Sequence, residues 1–321
     1  MYRELFEDIK KYDKIIIQRH QYPDLDALGS QLGLKRTLEA NFPEKEIYAV
    51  GDTAGRYAFI GDMDELDDNA GDGALVIVCD IAVDKMISKD FHHKGDKVYV
   101  IDHHKNDCDF EATFYCDSER IAVAELIADF LISNDLTVPA DAATAFIGGM
   151  ITDSGRFMYE GTNANTFLVS SKLLEAGADL HFIYSNIYIE TLESKMMRNY
   201  FSSKFEFTKN KVAYLKNKKD VFDKYDVTFS TISRGMINLM AGVQGVNIWV
   251  SFTYNPENGT IVGEFRARDI KIVDIAKKYG GGGHDQACGA TIKDWDEVDK
   301  VIADFDKRLE EFNNGTYIKQ D

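Results

Sequence analysis

Three short apolar runs decide what this chain can become. Lys14 to Arg19, built on Ile15-Ile16-Ile17, Ala74 to Cys79, and Lys97 to Ile101 are rich in β-branched residues and too short for buried helices. Their centres are continuously apolar rather than alternating, as in strands buried on both faces. Such strands belong to parallel sheets with both faces covered. Each run also stops at residues with ligand or acid–base chemistry. His20 follows the first, Asp80 the second, and Asp102-His103-His104 the third. In open α/β sheets, sites gather beyond the C-terminal ends of the strands.

The remaining pattern supplies the cover. From Ala27 the sequence turns helical through Leu28, Leu32, Leu34 and Leu38, ending near Asn41-Phe42-Pro43. A short strand is expected at Glu46 to Val50 and a loop at Asp62 to Asp72. Helices are expected at Ile121 to Ile132, Ala140 to Ile151 and Thr166 to Ala176, the last stopped by Gly177. Ile183 to Phe205 holds neither glycine nor proline and reads as a helical connector, with Phe201, Phe205 and Phe207 as packing residues. Beyond it, Lys211 to Leu215 and Asn247 to Tyr254 read as strands, Trp249 being core. The turn Asn255 to Gly259 folds Thr260 to Arg266 back as a hairpin. A short helix, Ile272 to Tyr279, runs into Gly280 to His284, and Asp294 to Asn313 closes the chain as an amphipathic helix. At 321 residues the chain exceeds one ordinary core. The expected architecture is α/β throughout. An N-terminal parallel-sheet domain (1–185) is joined by a helical connector (186–210) to a smaller α/β domain (211–321), with an active-site cleft between them. Disorder is expected only at Asn313 to Asp321.

Composition narrows the function. A net charge of -17 opposes long-range attraction to duplex nucleic acid, which needs lysine and arginine to neutralise phosphates. It leaves room for a small anionic substrate, because a bound cation reverses the local sign. Cys79, Cys108, Cys116 and Cys288 show no C-x-x-C spacing, which reads as reduced thiols in the cytoplasm rather than a zinc ribbon or disulfide framework. Met1 to Lys11 is charged throughout, unlike a signal peptide, and no run reaches the length of a membrane span.

Asp24 and Asp26, two apart in the loop after His20, can aim at different partners. Asp80 taken alone reads as a helix N-cap. His103 and His104, directly after a buried strand, are harder to assign to structure. His92 and His93 lie in a polar stretch and read as a solvated pair. Gathered in one place, Asp24, Asp26, Asp80 and Asp153 would repel and resist ionisation. Two divalent cations remove that conflict. Oxygen and imidazole ligands without thiolate suit manganese or magnesium, and paired cations about 3.5–4 Å apart serve phosphoryl chemistry.

The stretches His20-x-x-Pro23-Asp24-x-Asp26-Ala27, Asp80, Asp102-His103-His104 and Thr152-Asp153-Ser154-Gly155-Arg156-Phe157 resemble, in order, the four motifs of the DHH phosphoesterase family. The resemblance implies that His20 and Asp24 bind one metal, that Asp26, His103 and Asp153 bind another, and that Asp80 bridges. It implies manganese, with magnesium or cobalt as substitutes. His104 would face the substrate phosphate and donate a proton, and Asp102 would orient the histidines.

Phe265-Arg266-Ala267-Arg268, Gly280 to His284 and Ala287 to Ala290 resemble the DHH-associated domain that grips substrate. A glycine run lets phosphate approach backbone N–H groups, and Arg266 and Arg268 would share one face of a strand. The substrate-binding set implied is Arg266, Arg268, Gly281, Gly282, Gly283 and His284. Asp285 stands where the family usually has proline, beside that grip, and Ala267 where serine is frequent. Within the family, a two-domain chain of this size resembles the oligoribonucleases called nanoRNases. That implies hydrolysis of short RNA oligonucleotides and linear dinucleotides, together with phosphoadenosine phosphate. It implies no long duplex and no membrane partner, and is compatible with a homodimer. The rival readings are an exopolyphosphatase or pyrophosphatase, and a nucleotide-binding sensor with a vestigial metal site.

Overall fold

The computed structural model describes residues 2–105, 107–224 and 227–317; of the expected C-terminal disorder, residues 318–321 lie outside that range. The chain divides into two units, Met1–Ile189 and Glu190–Asp321. In the first, α1 (Arg3–Lys11) leads into β1 (Lys14–Arg19), α2 (Leu25–Asn41) and β2 (Glu46–Ala49). β3 (Leu75–Cys79), β4 (Lys97–Asp102) and β5 (Thr113–Cys116) follow, then α3 (Val123–Ser133), α4 (Ala140–Asp153), α5 (Ala164–Glu175) and α6 (Leu180–Ile187).

The five strands form one parallel sheet in the order β2-β1-β3-β4-β5. The order reverses between β1 and β3, so the crevice of a doubly wound sheet opens outside their C-terminal ends. His20 follows β1, Asp80 follows β3 and Asp102 closes β4, which brings three of the sequence motifs to one sheet edge.

The apolar runs are buried on both faces for two different reasons. Ile15, Ile17, Leu75, Ile77 and Cys79 pack in one cluster with Leu28, Leu126 and Phe146 of α2, α3 and α4. Ile16, Val76, Val78 and Val100 face the other way, in a cluster with Ile81, Ile87 and Phe91. That second cover includes two short 3-10 turns, Asp84–Met86 and Phe91–His93, rather than α-helices.

The second unit contains α7 (Leu192–Ser202), β6 (Glu206–Phe207), β7 (Ala213–Asn217), α8 (Asp220–Lys224), α9 (Phe229–Ser233), β8 (Ile248–Tyr254), β9 (Ile261–Ala267), α10 (Val273–Lys278), β10 (Gly282–His284), β11 (Ala287–Ile292) and α11 (Trp295–Asn313). Its sheet runs β10-β11-β9-β8-β7-β6, with β7 and β8 parallel and the other pairs antiparallel. Alternation along β8 explains its two-sided burial. Ile248, Val250 and Phe252 pack with Phe265 and the α11 residues Val298, Val301 and Phe305. Trp249 turns to Met197, Phe201, Leu215 and Ile232. Between them Asn217 donates to Ser251 and Thr253 at 3.2 and 2.9 Å, which satisfies a buried polar row.

Two expectations need correction here. The stretch 183–205 is not one helix, because α6 ends at Ile187 and α7 begins at Leu192. α7 packs within the second unit through Met197 and Phe201. Phe201 and Phe205 are buried, but Phe207 is exposed on the short β6 and packs no core.

Candidate metal centre

His20 leaves β1 and pairs with Ile87 in an isolated bridge. Its Nδ1 lies 2.7 Å from the Gln21 carbonyl, which can only accept, so the proton resides there and Nε2 presents a lone pair. Asp24 N-caps α2, accepting from the Ala27 N–H at 3.0 Å. Asp26, in the first turn of α2, is wholly buried and accepts from the N–H groups of Val123 and Ala124 at 2.7 and 2.9 Å. Space for it depends on α4, since a β-carbon at Gly149 would lie 2.8 Å from Asp26 Oδ1.

Asp80 is not a helix N-cap. It follows β3 with φ of 65°, a left-handed conformation that costs energy in a non-glycine residue and often marks a functional position. Asp102 Oδ1 accepts from the His103 and His104 N–H groups at 2.7 and 3.1 Å and from His104 Nδ1 at 2.8 Å. His103 Nδ1 donates to the Arg120 carbonyl at 3.1 Å, leaving its Nε2 free as well. Asp153 is the last residue of α4.

These side chains converge. His20 Nε2 lies 3.6 Å from Asp80 Oδ2 and 3.9 Å from Asp24 Oδ1. His103 Nε2 lies 3.7 Å from Asp80 Oδ1 and 3.5 Å from Asp153 Oδ2. Three sets, His20–Asp24–Asp80, Asp26–His103–Asp153 and Asp80–His103–His104, each bring one ligand atom per residue within 4.8 Å of the others. Asp80 thus turns one oxygen toward His20 and the other toward His103. Beside His103 and Asp153 opens a cavity of about 440 Å³, lined also by Ser118, Arg120, Glu160 and Asn163.

The electrostatics fit a cation-binding centre. Burial, then repulsion from Asp26, Asp24, Asp153 and Asp102, holds the Asp80 carboxyl well above its ordinary range. Burial raises Asp26 to about 6 and Asp153 to about 8, with neighbouring aspartates adding to both. Asp80 Oδ1 and His103 Nε2 are buried without a hydrogen-bond partner among the described residues. A divalent cation bound there would supply the missing partner for both atoms and cancel the repulsion. Asp102 behaves differently. Burial pushes its carboxyl up, but the hydrogen bonds and charge of His104 outweigh that and hold it low. In return, Asp102 raises the His104 imidazolium above its ordinary value.

A pH dependence follows. Carboxyls raised in the folded state stabilise the metal-free protein below their ordinary range, and that contribution is lost as pH rises through about 6 and then about 8. In a thermal melt, chelator-stripped protein should lose stability across this window, and a divalent cation should flatten the dependence. A metal-free melting temperature that climbs from pH 6 to pH 8 would count against the clustered carboxylates.

The second-unit residues lie in and beside the small mixed sheet. Arg266 lies on β9, where its guanidinium donates to the Phe265 carbonyl at 2.9 Å and to Glu264 at 3.3 Å. Arg268 follows the strand end and donates to Val246 and Val243 carbonyls at 3.1 and 3.4 Å, so only Arg266 of the two lies within β9. In the glycine run, Gly282 to His284 form the edge strand β10 against β11. A β-carbon at Gly281 would lie 2.0 Å from the Gly289 carbonyl and one at Gly283 2.7 Å from the Ala287 carbonyl; at Gly282 it would meet nothing within 4 Å among the described residues. Hairpin packing therefore accounts for Gly281 and Gly283, while Gly282 and the exposed His284 face open space. Asp285 pairs with Lys271 at 3.4 Å.

Arg120 binds Asp117, Glu125 and Asp129 while its carbonyl holds His103. No sequence signal marks a backbone carbonyl for such a task. His92 is not solvated: it is 4% exposed and shares Asp84 with His93.

Comparison with known proteins gives a separate view of the chain. Residues 14–150 match the model of the DHH family N-terminal domain, and residues 212–311 match the DHHA1 domain. The chain is similar to the bifunctional oligoribonuclease and PAP phosphatase NrnA of Bacillus subtilis, at 32% identity over 97% of this chain and 99% of that one. It is 30% identical to the protein of the same name from Mycoplasma pneumoniae, over 95% and 96% of the two chains. Among solved structures, an exopolyphosphatase-related protein from Bacteroides fragilis shares the fold with a TM-score of 0.75 and 22% identity, covering 98% of this chain and 96% of that one.

Proposed function

The chain belongs to the DHH family of phosphoesterases, and from that premise we propose that it hydrolyses short RNA oligonucleotides and linear dinucleotides to 5′-mononucleotides, and removes the 3′-phosphate of phosphoadenosine phosphate. The observation that carries this reading is similarity to bifunctional oligoribonuclease and PAP phosphatases running across both units rather than the catalytic motifs alone.

In this reading His20 and Asp24 would hold one divalent cation, Asp26, His103 and Asp153 would hold a second, and Asp80, with one oxygen toward His20 and the other toward His103, would serve both. Carboxylate and imidazole donors suit manganese, with magnesium or cobalt as substitutes. Bound there, the cations supply Lewis-acid polarisation of the phosphoryl group and make water more acidic. The tethered Nδ1 atoms of His20 and His103 keep both Nε2 lone pairs aimed at the ligand set. His104, half exposed and protonated above the ordinary imidazole range, donates a proton to the leaving oxygen. Asp102 orients it. The cavity beside His103 and Asp153 admits part of the substrate. In the second unit His284, the open side of Gly282 and the neighbouring Gly281, Gly283, Arg266 and Arg268 form the proposed phosphate grip.

The domain assignment proposed is a DHH phosphoesterase domain over 1–185 and a substrate-binding DHH-associated domain over 211–321, with 186–210 between them. No described helix is long and apolar enough to cross a membrane. The free cysteines support a cytoplasmic location.

The test is a substrate panel on chelator-stripped protein with manganese restored. It contains RNA of two to five nucleotides, linear diadenylate, phosphoadenosine phosphate, pyrophosphate, polyphosphate and long single-stranded DNA. Dinucleotides and phosphoadenosine phosphate should be consumed fastest, and only with metal. Preference for polyphosphate or pyrophosphate would replace this substrate assignment, and tight binding without turnover would establish a sensor.

A further inference from the structure

We propose that Asp84, His92 and His93 form a second, peripheral site for a zinc-class divalent cation, separate from the catalytic cluster. Asp84 opens one 3-10 turn, and the two histidines close the next. His92 Nε2 and His93 Nε2 lie 2.8 and 2.9 Å from the same oxygen, Asp84 Oδ1. Adjacent side chains on a regular helix diverge, yet this turn brings the two rings to a centroid separation of 4.1 Å with their Nε2 atoms converging on one carboxylate. The three donor atoms lie within 4.8 Å of one another.

The burial is graded as a cation site requires. The His92 side chain is 1% exposed and fixed, whereas those of Asp84 and His93 are 43% and 50% exposed. The cluster is therefore anchored on one side and open to solvent on the other, where water can complete the coordination. A cavity of about 540 Å³ adjoins it, lined by both histidines and by Glu111. His92 Nδ1 is buried without a partner among the described residues, so the Asp84 side is where this ring finds its polar contact.

Two imidazoles and one carboxylate, with no thiolate and an open fourth position, match the three-ligand zinc pattern and contrast with the carboxylate-rich catalytic set. Without a cation, each Nε2 is placed to donate a hydrogen bond to Asp84 Oδ1. A bound cation would take each Nε2 lone pair, with the ring proton on Nδ1.

The site also touches the support of a catalytic ligand. The segment after Asp84 accepts the Gln21 N–H at Met86 (2.7 Å), pairs Ile87 with His20, and donates from Ser88 to the Arg19 carbonyl at 2.8 Å. Occupancy would clamp this segment to the Phe91–His93 turn.

The experiment uses the full chain carrying Asp80→Ala and His103→Ala, which disables the catalytic cluster and relieves its repulsion. Zinc bound per chain is measured by equilibrium dialysis, with cobalt absorption as a spectroscopic check on nitrogen ligation. One equivalent of zinc should bind at micromolar free metal. Adding the exposed-site change His93→Ala, or separately Asp84→Asn, should weaken it at least about ten-fold. In the otherwise unaltered chain, His93→Ala should leave manganese-supported hydrolysis intact. No zinc on the disabled chain, or binding indifferent to both His93 and Asp84, would overturn the site and leave a hydrogen-bonded triad.

Discussion

Asp80→Asn should lower kcat at least about a thousand-fold, equivalent to about 4 kcal/mol of transition-state stabilisation, while making the metal-free protein more stable. The two effects share one cause. Asp80 sits at the C-terminal end of β3 with one oxygen facing His20 and the other His103. Replacing it weakens both proposed cation sets together, which no other single ligand does. In the metal-free state the same carboxyl is buried among Asp26, Asp24, Asp153 and Asp102. An isosteric amide removes that conflict, and each kcal/mol relieved raises the melting temperature by about 2–4 °C in a chain of this order of size. Steady-state rates with saturating manganese and a melt in chelator check the pair. Near-normal turnover would sink the bridging role. Lost turnover with a lowered metal-free melting temperature would mean that the substitution acts through folding.

Asp102→Asn should reduce kcat by about 10²–10⁴ and shift the alkaline limb of its pH profile to lower pH. Asp102 Oδ1 gathers three N–H donors, two from the backbone and one from His104 Nδ1. This fixes the ring's tautomer and raises the imidazolium above its ordinary range. A proton donor works only while protonated, so activity is lost as pH rises through its pKa. With the carboxylate charge gone, that loss arrives at lower pH. The amide nitrogen would also occupy the place of Oδ2, which is buried without a partner among the described residues. A shifted limb with a modest change in KM distinguishes an electrostatic role from simple misfolding. An unchanged profile would remove His104 from proton transfer.

Much of the site was legible in the chain because its signals are local. A β-branched run followed by an acid or histidine states both that a strand is buried and that something polar waits at its end. Lys14–Arg19, Leu75–Cys79 and Lys97–Asp102 are all strands, and their ends carry His20, Asp80 and Asp102. The same local logic failed where burial came from elsewhere. His92 looked solvated among Lys89, Asp90 and Lys94, but Phe110 packs against its ring and Asp84 holds its nitrogen. The glycine run, read as a phosphate grip, gave no local sign of its pairing. It became an edge strand because β11 lies beside it, and Gly281 is demanded by the Gly289 carbonyl.

By itself the sequence determined the strand cores, the residue types at their ends and the family to which they belong. These depend on spacing and side-chain chemistry within a few residues. The tertiary structure decided the order β2-β1-β3-β4-β5, and with it the switch point at which His20 and Asp80 meet. It also decided that Val123 and Ala124 would hold Asp26 from more than ninety residues away. Strand pairing and helix docking are settled by which buried surfaces fit once the whole chain has collapsed. No local pattern encodes that choice, and the raised carboxyls and free Nε2 lone pairs of the centre exist only after it is made.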